Sequence, residues 1–154
     1  MIADRLAELG IELPSVAVPA GAYVPAVVDG HLVFTAGQIP FVDGALPATG
    51  KVGSGDGLVD PEVAKDLART CALNGLAAVA DVLGSLDRVT RIVKVTGFVA
   101  SAPGFNGQPG VINGASEVLG DVFGEAGRHA RSAVGVAELP LDAPVEVELI
   151  VAFE

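Results

Sequence analysis

The chain closes on HARSAVGVAELPLDAPVEVELIVAF, residues 129–153, and the reading of this stretch decides the fold. Its last part alternates. Val145, Val147, Leu149 and Val151 point one way and Glu146 and Glu148 the other, the period of a strand with one buried face. Residues 130–138 read as a strand too, and ELPLDAP as the turn between them. If the two strands pair about that turn, Arg131 lies opposite a residue near Val151. Glu146 is then about five residues farther along, on the order of 17 Å at strand rise. Arg131 and Glu146 could share one site only across a boundary between two copies of the chain. On the first strand Arg131, Ala133 and Gly135 share a face. Small residues beside an arginine leave a floored pocket, in which a guanidinium is a fork suited to a planar carboxylate. The plainer alternative is a strand-end arginine paired with a surface acid. For Glu146 it is a solvated strand residue.

Upstream, Val111 to Gly124 carries an apolar stripe at helical spacing: Val111, Ile112, Ala115, Val118, Leu119, Val122 and Phe123. Before it, RVTRIVKVTGFVA (88–100) alternates as a strand with Val89, Val93, Val95 and Val99 on one face. The strongest helix spans 61–83, with Asp60 as N-cap, Pro61 at the first helical position and Gly84 as the stop. AVVDGHLVFT (26–35) reads as a hairpin about Asp29-Gly30. Residues 41–57 are rich in turn formers and read as a mobile surface loop. Residues 2–9 form a short helix.

Two main helices and at least five strands predict a two-layer α/β (α+β) domain, a mixed sheet with both helices on one face. The other face still carries apolar residues and needs a partner, which predicts a homo-oligomer. No linker or repeat divides the chain. Residues 1–16 form a helix and an extended lead-in, and 17–154 form the domain proper.

Composition agrees. Of 154 residues, 51% are hydrophobic and 18% charged, which excludes a disordered chain. Nine Lys plus Arg against nineteen Asp plus Glu give a net charge of −10, the wrong sign for nucleic-acid binding. The single cysteine, Cys71, excludes an internal disulfide and CxxC metal sites. No signal peptide is visible, and the apolar stretch 13–28 is interrupted by Pro14, Pro19 and Pro25. A soluble cytoplasmic protein is expected.

There is no GxGxxG, P-loop, HExxH or GxSxG. His31 and His129 read as surface histidines, and Cys71 as a small core residue inside a helix. Tyr23, the only tyrosine, precedes the first strand and is either a pocket wall or an interface aromatic. In TAGQIP (35–40), Gly37 permits close approach of a ligand to the backbone, or marks a bulge.

AYVPAVVDGHLVFTAGQIP (22–40) resembles the N-terminal segment of the Rid (YjgF) family of reactive-intermediate deaminases, and the stretch 129–153 resembles that family's C-terminal signature. The likeness spans about residues 17–153. It implies a chorismate-mutase-like fold, a homotrimer and ligand clefts between neighbouring subunits. The implied activity is hydrolysis of enamines or imines, such as 2-aminoacrylate, to a 2-oxo acid and ammonia, with no metal or cofactor. By position, Arg131 would bind the substrate carboxylate and Tyr23 would line the cleft. The Gly37 backbone would contact substrate and Glu146 would place the attacking water. Asn113 matches a family asparagine approximately, with its spacing to the arginine shifted by about one residue. Two cleft positions depart from the pattern. Ala36 stands where serine is frequent, and Ala133 where cysteine is frequent. Both remove polar atoms, so the alternative function is a non-catalytic binder of small carboxylates or of a partner protein. Ribonuclease activity is disfavoured by the acidic chain, and no membrane partner is implied.

Overall fold

In the computed structural model, which describes residues 1–154, five strands form one sheet in the order β1-β2-β5-β3-β4. The strands are β1 (Ala26–Asp29), β2 (Leu32–Thr35), β3 (Val89–Ala100), β4 (Ala130–Val136) and β5 (Val145–Phe153). A helix α1 (Ile2–Glu8) precedes them, α2 (Pro61–Leu83) follows β2, and α3 (Gln108–Phe123) links β3 to β4.

The best-signalled elements form where local chemistry places them. Asp60 accepts a hydrogen bond from the Glu62 N–H at 2.8 Å, and α2 ends at Gly84 in the left-handed conformation. β1 and β2 are an antiparallel hairpin with Asp29 opposite Leu32. α3 starts three residues before the expected Val111, because Pro109 is accommodated in its first turn. Its predicted stripe is buried from Val111 to Val122, and Phe123 is half-buried.

Both long helices cover one face of the sheet. Val145, Val147, Leu149 and Val151 of β5 are buried beneath them in a core of 27 residues that also takes in Leu6 and Ile11. The two helices meet backbone to backbone at Gly114. A Cβ there would collide with the Lys65 carbonyl of α2 and lie 3.2 Å from the Arg69 nitrogen. The opposite sheet face leaves apolar side chains in the open: Val27 is 50% exposed, Val134 44% and Phe34 36%. No helix is long and apolar enough to cross a membrane.

Four expectations are corrected. β4 and β5 do not pair with each other. β4 runs parallel to β3, with Arg131 beside Val95, while β5 lies on the other side of β3, with Leu149 beside Val95. The β3-α3-β4 crossover enforces the parallel pairing. The segment after it is no tight turn: it includes a 3-10 turn, Pro140–Asp142, with Leu141 and Asp142 at φ 58° and 59°. On β3, register shifts between Val89 and Arg91 and between Ile92 and Lys94 turn Ile92 inward in place of Val93. The loop after β2 is also tied down. Val52 is buried, donates to the Ala100 carbonyl at 2.7 Å and accepts from Ala102 at 2.9 Å.

Candidate functional site

The seven residues singled out in the sequence fall into two groups on opposite sides of the sheet. Tyr23, Ala36, Gly37 and Glu146 gather on the open side. Arg131, Asn113 and Ala133 lie on the helix side.

The first group is built by β2 running past its own end. After Thr35 the chain stays beside β5, with Gln38 donating to the Val147 carbonyl at 2.8 Å and accepting from Val147 at 3.0 Å. This lays Gly37 under the Glu146 side chain. A Cβ on Gly37 would sit 2.5 Å from Glu146 Oε1, so only glycine leaves the carboxyl its place. Tyr23, Gly37, Gln38, Phe41, Leu141 and Glu146 are among the walls of a cavity of about 330 Å³. Ala36 joins Tyr23, Gly37 and Glu146 around an adjoining, more open hollow of about 640 Å³. Leu141, 65% exposed, overhangs the cavity on the left-handed turn. No cation lines either space. Burial first, and then the charge of Glu148, hold the Glu146 carboxyl above the usual carboxylate range. The site therefore has a carboxyl of raised proton affinity, a phenol and exposed backbone, but no counter-charge for an anion.

The second group supplies that charge. Arg131 Nη1 donates to Asn113 Oδ1 at 2.8 Å and to Ser116 Oγ at 3.2 Å, and Nη2 donates to the Pro109 carbonyl at 3.4 Å. Three of the five guanidinium N–H groups are thereby spent on α3. Nε–H and one N–H on Nη2 remain for a further acceptor such as a carboxylate. Arg131 makes no salt bridge, whereas Arg5, Lys51, Lys65 and Arg128 each have an acidic partner. The plain reading of a strand-end ion pair is therefore set aside. Ala133 is half-buried against the core beside Gly97.

Within one chain the groups do not meet. Arg131 shares a row with Leu149, two strands away, and Glu146 lies three residues farther along β5 on the other face. Their backbones are on the order of 14 Å apart.

Two residues went unnoticed in the sequence as site candidates. Ser116 bonds Arg131 and also lies 2.9 Å from His129 Nε2, and His129 Nδ1 lies 2.6 Å from the Gly127 carbonyl. The signal was present. Asn113 and Ser116 are polar residues at i and i+3 on one face of the helix, and His129 stands two residues before Arg131. Cys71 is fully buried, its thiol facing the Val145 carbonyl at 3.8 Å and held in the neutral form first by burial.

The chain and its fold have counterparts among known proteins. The family described as "YjgF/chorismate mutase-like, putative endoribonuclease" matches residues 3–153. The chain belongs to the YjgF family. It is 45% identical over 151 residues to "Protein TCP17" of Trypanosoma cruzi, covering 97% of this chain and 92% of that one. It is 33% identical over 144 residues to the 2-iminobutanoate/2-iminopropanoate deaminase of Dermatophagoides farinae, covering 94% and 95% of the two chains. Among solved structures it is similar to E. coli TdcF with bound serine, at a TM-score of 0.63 and 30% identity over 92% of this chain and 94% of that one.

Proposed function

We propose that the protein hydrolyses the enamine or imine of a small amino acid to the 2-oxo acid and ammonia. The observation that carries this reading is the division of labour between the two groups. Arg131 is held with two N–H groups unspent, and Glu146 stands over bare backbone in a cavity with no cation. A 2-imino acid needs both halves: a fork for its carboxylate and an acid/base group at its C=N carbon. On this reading Arg131 fixes the carboxylate and the backbone at Gly37 orients the imine. Glu146 holds a water against the electrophilic carbon and passes protons toward the departing nitrogen. Water supplies the oxygen of the ketone, and the imine nitrogen leaves as ammonia. The deaminase name of a relative at 33% identity and the serine held by a structural neighbour support a ligand of this size and charge.

The two halves would be brought together by neighbouring copies in a homotrimer, whose apolar contact surface would include Val27, Phe34 and Val134. This extends the family resemblance and agrees with their exposure. Tyr23 and Ala36 would line the substrate's far side, while Asn113 and Ala133 would act through Arg131.

The test is to generate 2-aminoacrylate in the presence of the purified protein and follow pyruvate. Faster release than without protein, lost in Arg131→Ala, is expected. An unaccelerated reaction, or an undiminished rate in that variant, would sink the proposal. The second reading is a carboxylate binder without turnover. Alanine at positions 36 and 133 favours it, since neither offers the site a polar atom. It predicts calorimetric binding of 2-oxobutanoate with no acceleration.

A further inference from the structure

We propose that Ser116 and His129 are positioning residues for Arg131, forming a one-way hydrogen-bonded relay that aims its guanidinium at a carboxylate. The inference rests on the reading of Arg131 as the carboxylate anchor and extends it to two residues outside the ligand's reach.

The direction of the relay follows from what each group can do. A backbone carbonyl only accepts, so His129 Nδ1, 2.6 Å from the Gly127 oxygen, carries the ring proton. In the neutral ring Nε2 then has a bare lone pair. It takes the Ser116 hydroxyl proton across 2.9 Å. With its proton committed to His129, Ser116 turns lone pairs toward Arg131 and receives Nη1–H at 3.2 Å. Asn113 takes the other Nη1–H at 2.8 Å. With the ring neutral, this arrangement of protons satisfies the ring, the hydroxyl and the guanidinium together.

Geometry gives the relay a purpose beyond packing. Gly127 is buried in the turn that follows α3, Ser116 lies on α3, and Arg131 lies on the edge strand β4. The relay ties these three elements at the point where the arginine leaves the strand. Asn113 alone would fix one nitrogen and leave the guanidinium free to swing about it. With Ser116 as the second acceptor, both Nη1 hydrogens are pinned, which sets the plane of the fork. The apolar neighbours of Ser116 one turn away on α3, Ile112 and Leu119, are fully buried, so helix packing does not call for a hydroxyl here.

The experiment measures 2-oxobutanoate affinity by calorimetry on the intact protein and on Ser116→Ala, Ser116→Thr, His129→Asn and Arg131→Ala. Thermal melting of each variant and nitrogen NMR of the imidazole rings accompany it. Ser116→Ala and His129→Asn are expected to weaken binding roughly five- to tenfold. Ser116→Thr, which keeps the hydroxyl, should stay within about twofold, and melting temperatures should be unchanged. The His129 ring is expected as the Nδ1–H tautomer. If Arg131→Ala abolishes binding while Ser116→Ala and His129→Asn bind like the parent, the relay is overturned and the anchor stands. If Arg131→Ala binds like the parent, both fall. An Nε2–H tautomer in the parent overturns the relay even where a variant fails to fold.

Discussion

On the proposed reading the cavity at Glu146 and the cluster at Arg131 hold complementary halves of one chemistry, and they are assembled by opposite means. The cavity is made of extended, proline- and glycine-punctuated chain: Tyr23, Pro25, Gly37, Pro140 and Leu141 surround a single carboxyl. The cluster has no enclosure of its own. It consists of an edge-strand arginine fastened to a helix by three hydrogen bonds. One region offers space and an acid but no charge to hold an anion, and the other offers the charge but no space. A rigid scaffold best serves the group that must bind, because orientation entropy is removed before the ligand arrives. Irregular backbone best serves the place where the ligand lies, because it exposes N–H and C=O groups that a sheet would consume.

The comparison breaks most visibly through Arg131. Arg131→Ala should lower kcat/KM for 2-aminoacrylate hydrolysis by about 100-fold or more. Arg131→Lys should recover little, since an ammonium cannot reproduce the fork. Glu146→Gln should lower kcat by about 100-fold while 2-oxobutanoate affinity, read by calorimetry, changes only a few-fold. If both variants lose affinity alike, the assignment of binding to one region and chemistry to the other is wrong. Unfolding and refolding the two inactive variants as a mixture sharpens the comparison further. Where neighbouring copies complete each other's sites, random assembly should restore roughly a quarter of parental activity per site. No recovery in a reassembled mixture would place both halves of the site elsewhere.

The legible parts of the sequence were those in which one short stretch determines its own structure. The Asp60 cap, Pro61 and Gly84 bound α2, and alternation alone set the buried face of β5. Strand order was not legible. Residues 137–144 look like a hairpin turn between two alternating strands, yet they carry the chain past β3, because β3, α3 and β4 form a crossover unit that claims β4 first. The site followed the same division. Gly37, Tyr23 and Glu146 come together through the continuation of β2 beside β5. Arg131 and Asn113 stand on elements joined by a short connection. His129 reads as a surface histidine in the sequence because its contact joins two elements that the sequence does not bring together. Its role depends on Ser116, thirteen residues away on another element.

Smaller effects test how closely Gly37 and Glu146 are fitted. Gly37→Ala should reduce kcat about tenfold and leave melting nearly unchanged, because the new methyl meets the end of a flexible side chain, 2.5 Å from Glu146 Oε1, and no backbone. The smallest expected effect is on stability, and its sign follows from protons. Glu146 is held above the usual carboxylate range by burial and then by Glu148. The folded chain therefore binds a proton there that the unfolded chain has released, and stability falls as pH rises from about 4 through the raised value. An amide escapes this. Glu146→Gln should melt higher than the parent at neutral pH by no more than a few degrees, and the gap should close toward about pH 4. The same pair compared in an Arg131→Ala background decides whether the two regions touch in the assembled protein. If a neighbour's guanidinium approaches Glu146, its removal leaves the carboxylate less compensated and the gap widens. If the two never meet, the gap is the same in both backgrounds, and the comparison between acid and cation is one of separate sites.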